Sequence, residues 1–549
     1  MDQAHSDAIV VGSGINGMVA AAELAGAGWS VTLLERSAQI GGFIASGERT
    51  VPGYVHDTFS SWHPLFVTGG AYAALGADLH RHGLSYANTE AALTASVADD
   101  GRVTLAQRDP QRTAAGFADP ADARAYLAQL ERFGRSAAAL GGFFGTELRS
   151  VSVLRPVLQM LRANGVRGSE GWVRDALSSG RAFAAREFRG PEVDHLWVPW
   201  LLHAGLSPDH ACGGLMIPVF AATLHGAGLP VVVGGAARFV EAFSALLRER
   251  AVVIRTGAEV RRFRVREGRV SGVDLADGSV LAARRAVLAS VSPTALYGDL
   301  LPPEAVPAQL RQQAASFRYG RAAMQVHVAL SEPLRWSDAR LDEVPLVHLT
   351  DGSAGTGIAC AEAEAGLLPR RPTVVVGQQA LLDPSRAPAG AGTLWLQLQE
   401  LPGTPVGDAA GELDTSRGWS AQLAGAYAER VLARLARHAP NLPGAVRGLD
   451  VLSPADLQRS NVNAVDGDPY GGSAQLDQSF LWRPLAGSGR HRTPVRGLWH
   501  LGASTHPGAG LGGASGHLVA GELLALQRRQ ERRVRRGGAA AAVRRFASR

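Results

Sequence analysis

Three glycines set the first chemical expectation. Gly12, Gly14 and Gly17 stand in GxGxxG spacing, directly after the apolar run Ala8 to Val11 and before the Ala/Leu-rich stretch Met18 to Ala25. The run is too short for a core helix and suits a buried parallel strand. The stretch after it propagates helix. In such a unit the first glycine permits a tight strand-to-helix turn and the second lets backbone approach a pyrophosphate. The third lets helix and sheet pack closely. The N–H groups of the first helical turn, at Ile15 and Asn16, then face the phosphates. Gly26 and Gly28 stop the helix, and Val31 to Leu34 is a second strand that delivers Glu35 at its carboxyl end. Glu35 follows Gly17 by 18 residues, close to the ~20 at which an acid accepts from a ribose hydroxyl. A glycine-rich turn in any doubly wound sheet explains the glycines singly, but not their register with both strands and the acid.

A second glycine turn lies almost five hundred positions later. Leu498 to Gly516 reads as strand, glycine turn and the start of a helix that continues from His517 to Leu526. Gly508, Gly510 and Gly513 repeat the GxGxxG spacing, but Pro507 intervenes and no second strand with an acid follows. The turn therefore fails as an independent dinucleotide site. It fits as a second helix N-terminus against the same ligand, with Gly502, Ala503 and Gly510 at the contact. His506, in a Thr-His-Pro-Gly turn, and His63 are the candidate acid–base residues; bonding the backbone of a tight turn is the competing role for His506. Trp62, Trp197, Trp200, His203 and Trp482 are candidates to line an apolar tunnel, although aromatics at such spacing also suit a core.

Composition narrows the chemistry. The 549 residues contain no lysine, so all 55 basic residues are arginine. Schiff-base catalysis, pyridoxal phosphate attachment and a P-loop lysine are thereby removed. Cys212 and Cys360 are the only cysteines, which leaves no disulfide framework, CxxC pair or thiolate metal site. The net charge of +6 is concentrated at one end: residues 527–549 hold nine arginines and one glutamate. The body is near neutral and lacks the basic stripe of a nucleic-acid-binding protein. The basic tail, 528–549, is expected to be disordered, with contact to an anionic membrane surface as the sharper alternative. No charged-then-apolar segment precedes the first strand, which predicts a cytoplasmic location.

The elements that must position these residues follow from pattern. Asp119 caps and Pro120 opens a helix, and Val151 to Phe188 reads as amphipathic helices separated by Gly165, Gly168 and Gly171. Gly213 to Gly235 is the most apolar stretch, but two prolines and six glycines argue against a membrane span. A helix at Arg238 to Arg250 and a strand at Val252 to Arg255 follow. Ala258 to Phe263, Arg269 to Leu275 and Ser279 to Leu281 form a β-meander turning at Asp277-Gly278, and Ala286 to Ala289 is a separate buried strand. Ala323 to Ala329 and Thr393 to Gln399 alternate as half-buried strands do.

The segment Glu35-Arg36-Ser37-Ala38-Gln39-Ile40-Gly41-Gly42 resembles the double-glycine flavoprotein superfamily, which includes amine oxidases, phytoene desaturases and GDP-dissociation inhibitors. Many relatives place Arg after the pair; this chain has Phe43. Further matches run in family order: Val51-Pro52-Gly53-Tyr54, Gly234-Gly235, Asn441-Leu442-Pro443-Gly444, Leu476-Asp477-Gln478, Arg483-Pro484 and Gly502 to Gly510. Together they resemble the bacterial phytoene-desaturase and oxygenase-type carotene-ketolase group, departing from it at Gly471-Gly472. The resemblance implies FAD, with Gly41 and Gly42 near its phosphates, and Val260 against its adenine. It implies an α/β fold: a Rossmann-like FAD-binding domain (βαβ plus β-meander; 1–85, 230–300 and 490–527) interleaved with a mixed α+β substrate domain (86–229 and 301–489). The activity implied is hydride transfer at flavin N5 on an extended apolar polyene or isoprenoid, by desaturation, saturation or redox-triggered cyclisation, in pigment or natural-product biosynthesis. Many amine oxidases of the superfamily hold a water with lysine, which is absent here. A non-catalytic lipid-binding protein of the GDP-dissociation-inhibitor type is the alternative.

Overall fold

The computed structural model describes residues 5–547. Two seven-stranded sheets organise it. In the first, β1 (His5–Val11) is central. It pairs in parallel with β2 (Val31–Leu34) on one side and with strand Val280–Ala289 on the other, so that Ile9 sits between Thr32 and Val287. Burial on both faces explains the unbroken apolar run of β1. Strand Val253–Arg255 continues the sheet beyond β2, while Val260–Arg266 and Arg269–Leu275 add the antiparallel meander. Strand Leu498–His500 brings the distant C-terminal segment in parallel beside Val287–Ala289.

α1 (Ile15–Gly26) packs on this sheet with helices Gly70–Arg81, Ala237–Glu249 and the start of Ala514–Ala547, around Met18, Phe239, Phe243 and Val519. The last helix runs unbroken through residues expected to be a disordered tail. Alanine and arginine propagate helix well, and the turns from Ala514 onward are already anchored against α1. Residues 548–549 of that expected tail lie outside the described residues.

The second sheet orders its strands Val446–Leu452, Ala322–Leu330, Gly392–Leu401, Val374–Gly377, Leu346–Leu349, Ala92–Val97, Val103–Gln107. One face carries Met324, Val326, Leu394, Leu396 and Val376 against Tyr427, Val431 and Leu435 of helix Ala421–Ala436. The other face carries Gln325, Trp395, Gln397, Gln399 and His348. Both faces are interior. All nine residues of Ala322–Leu330 are buried, and in Gly392–Leu401 Gln397 alone is partly open. This corrects the half-buried reading of these strands: their alternation separates an apolar core from a polar-lined interior cavity.

Of helices Pro120–Phe144, Leu154–Leu177, Gly180–Glu187 and Gly213–Ala227, the first, third and fourth cover that second face, and the second packs outside them on the first and fourth. Asp119 caps the first by accepting from Ala121 N, and Gly165 breaks the second with φ 65°. Two other expectations are corrected. Ser279–Leu281 and Ala286–Ala289 belong to one strand, Val280–Ala289, which serves the meander at its start and the parallel sheet at its end. Gly168 and Gly171 do not divide the helix, whose one non-helical position is Gly165. Among the described residues no helix is long and apolar enough to cross a membrane.

Candidate active site

Between the two sheets lies a continuous cavity of about 2520 Å³, more than twice the upper end of the ~300–1,000 Å³ usual for a single-ligand pocket. Both glycine turns open onto it. Gly12, Gly14, Ile15 and Asn16 line it from the β1–α1 turn, and Gly502, Ala503, Pro507, Gly508 and Gly510 from the C-terminal turn. Gly17 does not reach the cavity. A Cβ there would lie 2.0 Å from Gly12 O, so this glycine sets the close packing of α1 on its own turn.

The two helix starts touch. Asn16 Oδ1 accepts from Gly516 N at 3.1 Å, and a Cβ on Gly516 would lie 2.0 Å from Asn16 O. α1 begins at Gly14 without a side-chain cap, and nothing stands within 4 Å of where a Gly14 Cβ would be. Uncapped N–H groups facing open space form an anion-binding end. Glu35 closes the same corner. Its Oε2 accepts from Ser13 N (3.0 Å) and Ser13 Oγ (2.6 Å), and its Oε1 from Ser37 N (2.9 Å). Ser13 in turn holds Gly41: its O and its Oγ each accept from Gly41 N at 3.2 Å. Arg36, Gly41, Gly42, Phe43 and Val260 complete this side of the lining. Phe43 packs edge-on against Phe59, with centroids 4.8 Å apart, where many relatives have arginine. An uncapped helix start, an acid fixed beside it and an elongated cleft fit a dinucleotide.

The candidate substrate residues divide. Trp62, Trp200 and His203 line the cavity. Trp197 does not: it is fully buried, with its ring near Tyr126 and His225. Trp482 is 40% exposed and lies outside the lining. Three residues along the same helical segment separate Trp197 in the core from Trp200 at the wall.

Neither candidate acid–base histidine lines the cavity. His506 Nε2 bonds Phe143 O at 3.0 Å, and burial pushes its pKa down to about 4. His63 Nδ1 meets Tyr86 Oη at 2.9 Å, its ring packs edge-on to Phe239, and burial pushes it down to about 3. His506 thus bonds the backbone at the end of helix Pro120–Phe144 and not that of its own turn.

Walls not singled out from sequence are Phe133, Leu140 and Phe144 on one helix, Met216 and Phe220 on another, and Trp395 and Gln397 on the sheet. Arg483 is a further one. Its guanidinium, 4% exposed, donates to Tyr470 O (2.9 Å) and Ala503 O (2.8 Å), placing a positive charge against the C-terminal turn. Burial lowers its pKa to about 10, so it remains a cation at neutral pH. Its position beside Pro484 in the family motif was the available signal.

Comparison with known proteins agrees with this geometry. The chain is 26% identical to pyridine nucleotide-disulfide oxidoreductase domain-containing protein 2 of Rattus norvegicus, over 94% of this chain and 92% of that one. It is 27% identical to hydroxyneurosporene desaturase of Cereibacter sphaeroides, over 96% and 99%. Cyclohexylamine oxidase from Brevibacterium oxydans shares the fold, with a TM-score of 0.58 at 16% identity over 95% of this chain and 99% of that one. The double-glycine cradle and the second helix start fit FAD as the dinucleotide. With the model of flavin-containing amine oxidoreductases matching residues 15–524, the chain belongs to that family and is an FAD-dependent oxidoreductase.

Proposed function

We propose that the chain oxidises or reduces an extended apolar polyene or isoprenoid-like molecule. The carrying observation is the size and lining of the cavity: beyond the cofactor cradle it continues between aromatic and aliphatic walls, including Trp200, Phe220, Met216, Leu140 and Trp395. Bound FAD supplies hydride acceptance or donation. The protein's part is to align the substrate between these walls and to keep water out. His203, on the wall beside Trp200, is pushed down to about 3 by burial, so it stays uncharged at neutral pH. Hydroxyneurosporene desaturase, similar over nearly its whole length, supports a polyene substrate. The absence of lysine argues against the amine-oxidising branch.

The test is anaerobic mixing of FAD-loaded protein with candidate polyenes while flavin absorbance is followed. Bleaching supports the reading; FAD held tightly with no bleaching or reoxidation by any polyene or isoprenoid would favour a lipid-binding role instead.

Such substrates reside in membranes, and we propose contact with an anionic bilayer. Arg528, Arg529, Arg532 and Arg533 are exposed on the last helix. Val151, Leu154, Leu158 and Leu161 are exposed at three- and four-residue spacing beside exposed Arg155 and Arg162, the pattern of an interfacial helix. Pro156 and Met160 on its inner side pack toward the helix that carries Leu140 to the cavity. Retention on acidic vesicles at low salt should fall on deleting 528–549 and on introducing Leu158→Ser with Leu161→Ser. Unchanged retention in both would reject the contact.

A further inference from the structure

The floor of the cavity has a polar row that a bare hydrocarbon would leave unpaired. Strand register places Gln325 opposite Gln397, Gln397 opposite Val375 and Val375 opposite His348. These four residues therefore share one face in a line across adjacent strands, with ~4.8 Å between neighbours. Two glutamines of this face have their Nε2 groups engaged, while their Oε1 atoms are buried without a partner. Gln325 Nε2 donates to Phe59 O at 3.1 Å, and Gln399 Nε2 donates to Tyr470 Oη at 2.7 Å, whose own proton goes to Leu202 O.

Gln397 differs. It lines the cavity, is partly open, and makes no side-chain hydrogen bond among the described residues, while neither of its amide atoms is shut away from the open space. A central strand thus presents a free donor and a free acceptor to the interior.

His203 supplies a second group on the same floor. Its Nε2 lies 3.1 Å from His348 Nε2, and Trp200 stacks on its ring at 4.5 Å, fixing its orientation. Burial keeps both imidazoles neutral, so they share one proton between the two Nε2 atoms. His348 Nδ1 is buried without a partner. Leaving a lone pair there is less costly than leaving an N–H, so His348 donates from Nε2 and His203 keeps its own proton on Nδ1. Nδ1 of His203 has no protein partner among the described residues and is not shut away from the cavity that His203 lines. The cavity's carboxylates are Glu35, Glu241, Glu259, Asp299 and Asp468. None lies on this sheet face or on the segment of Trp200 and His203.

We infer that the substrate carries a neutral oxygen function, a hydroxyl or carbonyl, held by the Gln397 carboxamide, with His203 Nδ1–H as a separate neutral donor on the same cavity wall. The inference rests on the polyene reading above and narrows it. A hydroxyl suits the carboxamide best, since it can donate to Gln397 Oε1 or accept from Gln397 Nε2.

The test uses FAD-loaded protein and a matched pair of probes in detergent micelles, lycopene and its 1-hydroxy derivative. Binding is read by quenching of tryptophan fluorescence. The hydroxylated probe should bind the wild type at least about tenfold more tightly, as expected when a site built for a hydroxyl meets an analogue lacking it. Gln397→Met, or Gln397→Leu if the first variant fails to load FAD, should bring the ratio to within about threefold of unity. His203→Phe should lower it in part. Equal binding of the two probes by the wild type, or an unchanged ratio in both variants, would overturn the polar subsite and leave the polyene reading standing. Binding of neither probe would overturn both.

Discussion

Gly516 is the position where one added methyl group separates the two halves of the cofactor cradle. A Cβ there would stand 2.0 Å from Asn16 O and 2.8 Å from Asn16 C, both backbone atoms of α1's first turn. Relief needs about 1 Å of separation between two helices that are otherwise closely packed, and such overpacking costs about 1–3 kcal/mol. Gly521 lies five residues further along the same helix, where an added Cβ meets nothing within 4 Å. Both replacements by alanine gain about 1 kcal/mol of helix propensity, so the difference between the variants isolates the packing cost. Gly521→Ala should be stabilised by about 1 kcal/mol. Gly516→Ala should lie about 1–3 kcal/mol below it and should bind FAD at least about tenfold more weakly, tenfold being 1.4 kcal/mol. Urea unfolding of both proteins, with flavin fluorescence to follow FAD release, measures the two effects. Coincident unfolding curves with equal FAD retention would refute the claim that the contact between helix starts builds the site.

Three further outcomes follow from the same geometry. Glu35→Ala removes the acceptor for Ser13 N, Ser13 Oγ and Ser37 N; with charged-acceptor bonds at about 1.5–3 kcal/mol, FAD loading, read as the ratio of flavin to protein absorbance, should fall at least tenfold in apparent affinity. Arg386, 1% exposed, bonds Asp57 (2.8 Å), Asp383 (3.0 Å) and Val232 O (2.7 Å), tying the cofactor sheet's neighbours to the second sheet's loops. Arg386→Met strands two buried carboxylates and should destabilise by about 3–5 kcal/mol in denaturant. Burial raises the pKa of Glu400 to about 7. The native state then binds more protons than the unfolded state between about pH 4.5 and 7, so the Glu400 contribution to stability is full below that window and falls through it as pH rises. Buried His56, His63 and His203, each lowered to about 3, act in the opposite sense. Their unfolded forms take up protons first as pH falls below 6.5, so stability should also decline on the acid side. Between about pH 4.5 and 6.5 these buried neutral histidines act against Glu400 and outnumber it, so Glu400→Gln should steepen the net rise of stability with pH across that range. Unfolding midpoints of the wild type and of Glu400→Gln across pH check both terms.

The nucleotide half of the molecule was legible because its rules act within about thirty residues. A short apolar strand, three spaced glycines, a helix former and a second strand ending in an acid can satisfy each other only as a βαβ unit, and the 12-residue α1 and Glu35 stand where that pattern places them. The C-terminal turn was legible for the same reason, since its strand and helix are contiguous. That it touches α1 through Gly516 and Asn16 is a tertiary fact.

The substrate half followed a different logic. Whether Trp197 or Trp200 faces the cavity depends on helices that pack against both, contributed from residues 120–227. Strand Gly392–Leu401 alternates as a surface strand would, yet its polar side looks into the cavity because other segments roof it. Local pattern determines that a strand has two unlike faces. Only the assembled chain decides whether the second face meets water, a protein core or a ligand, because burial is a property of what the rest of the chain brings to that face.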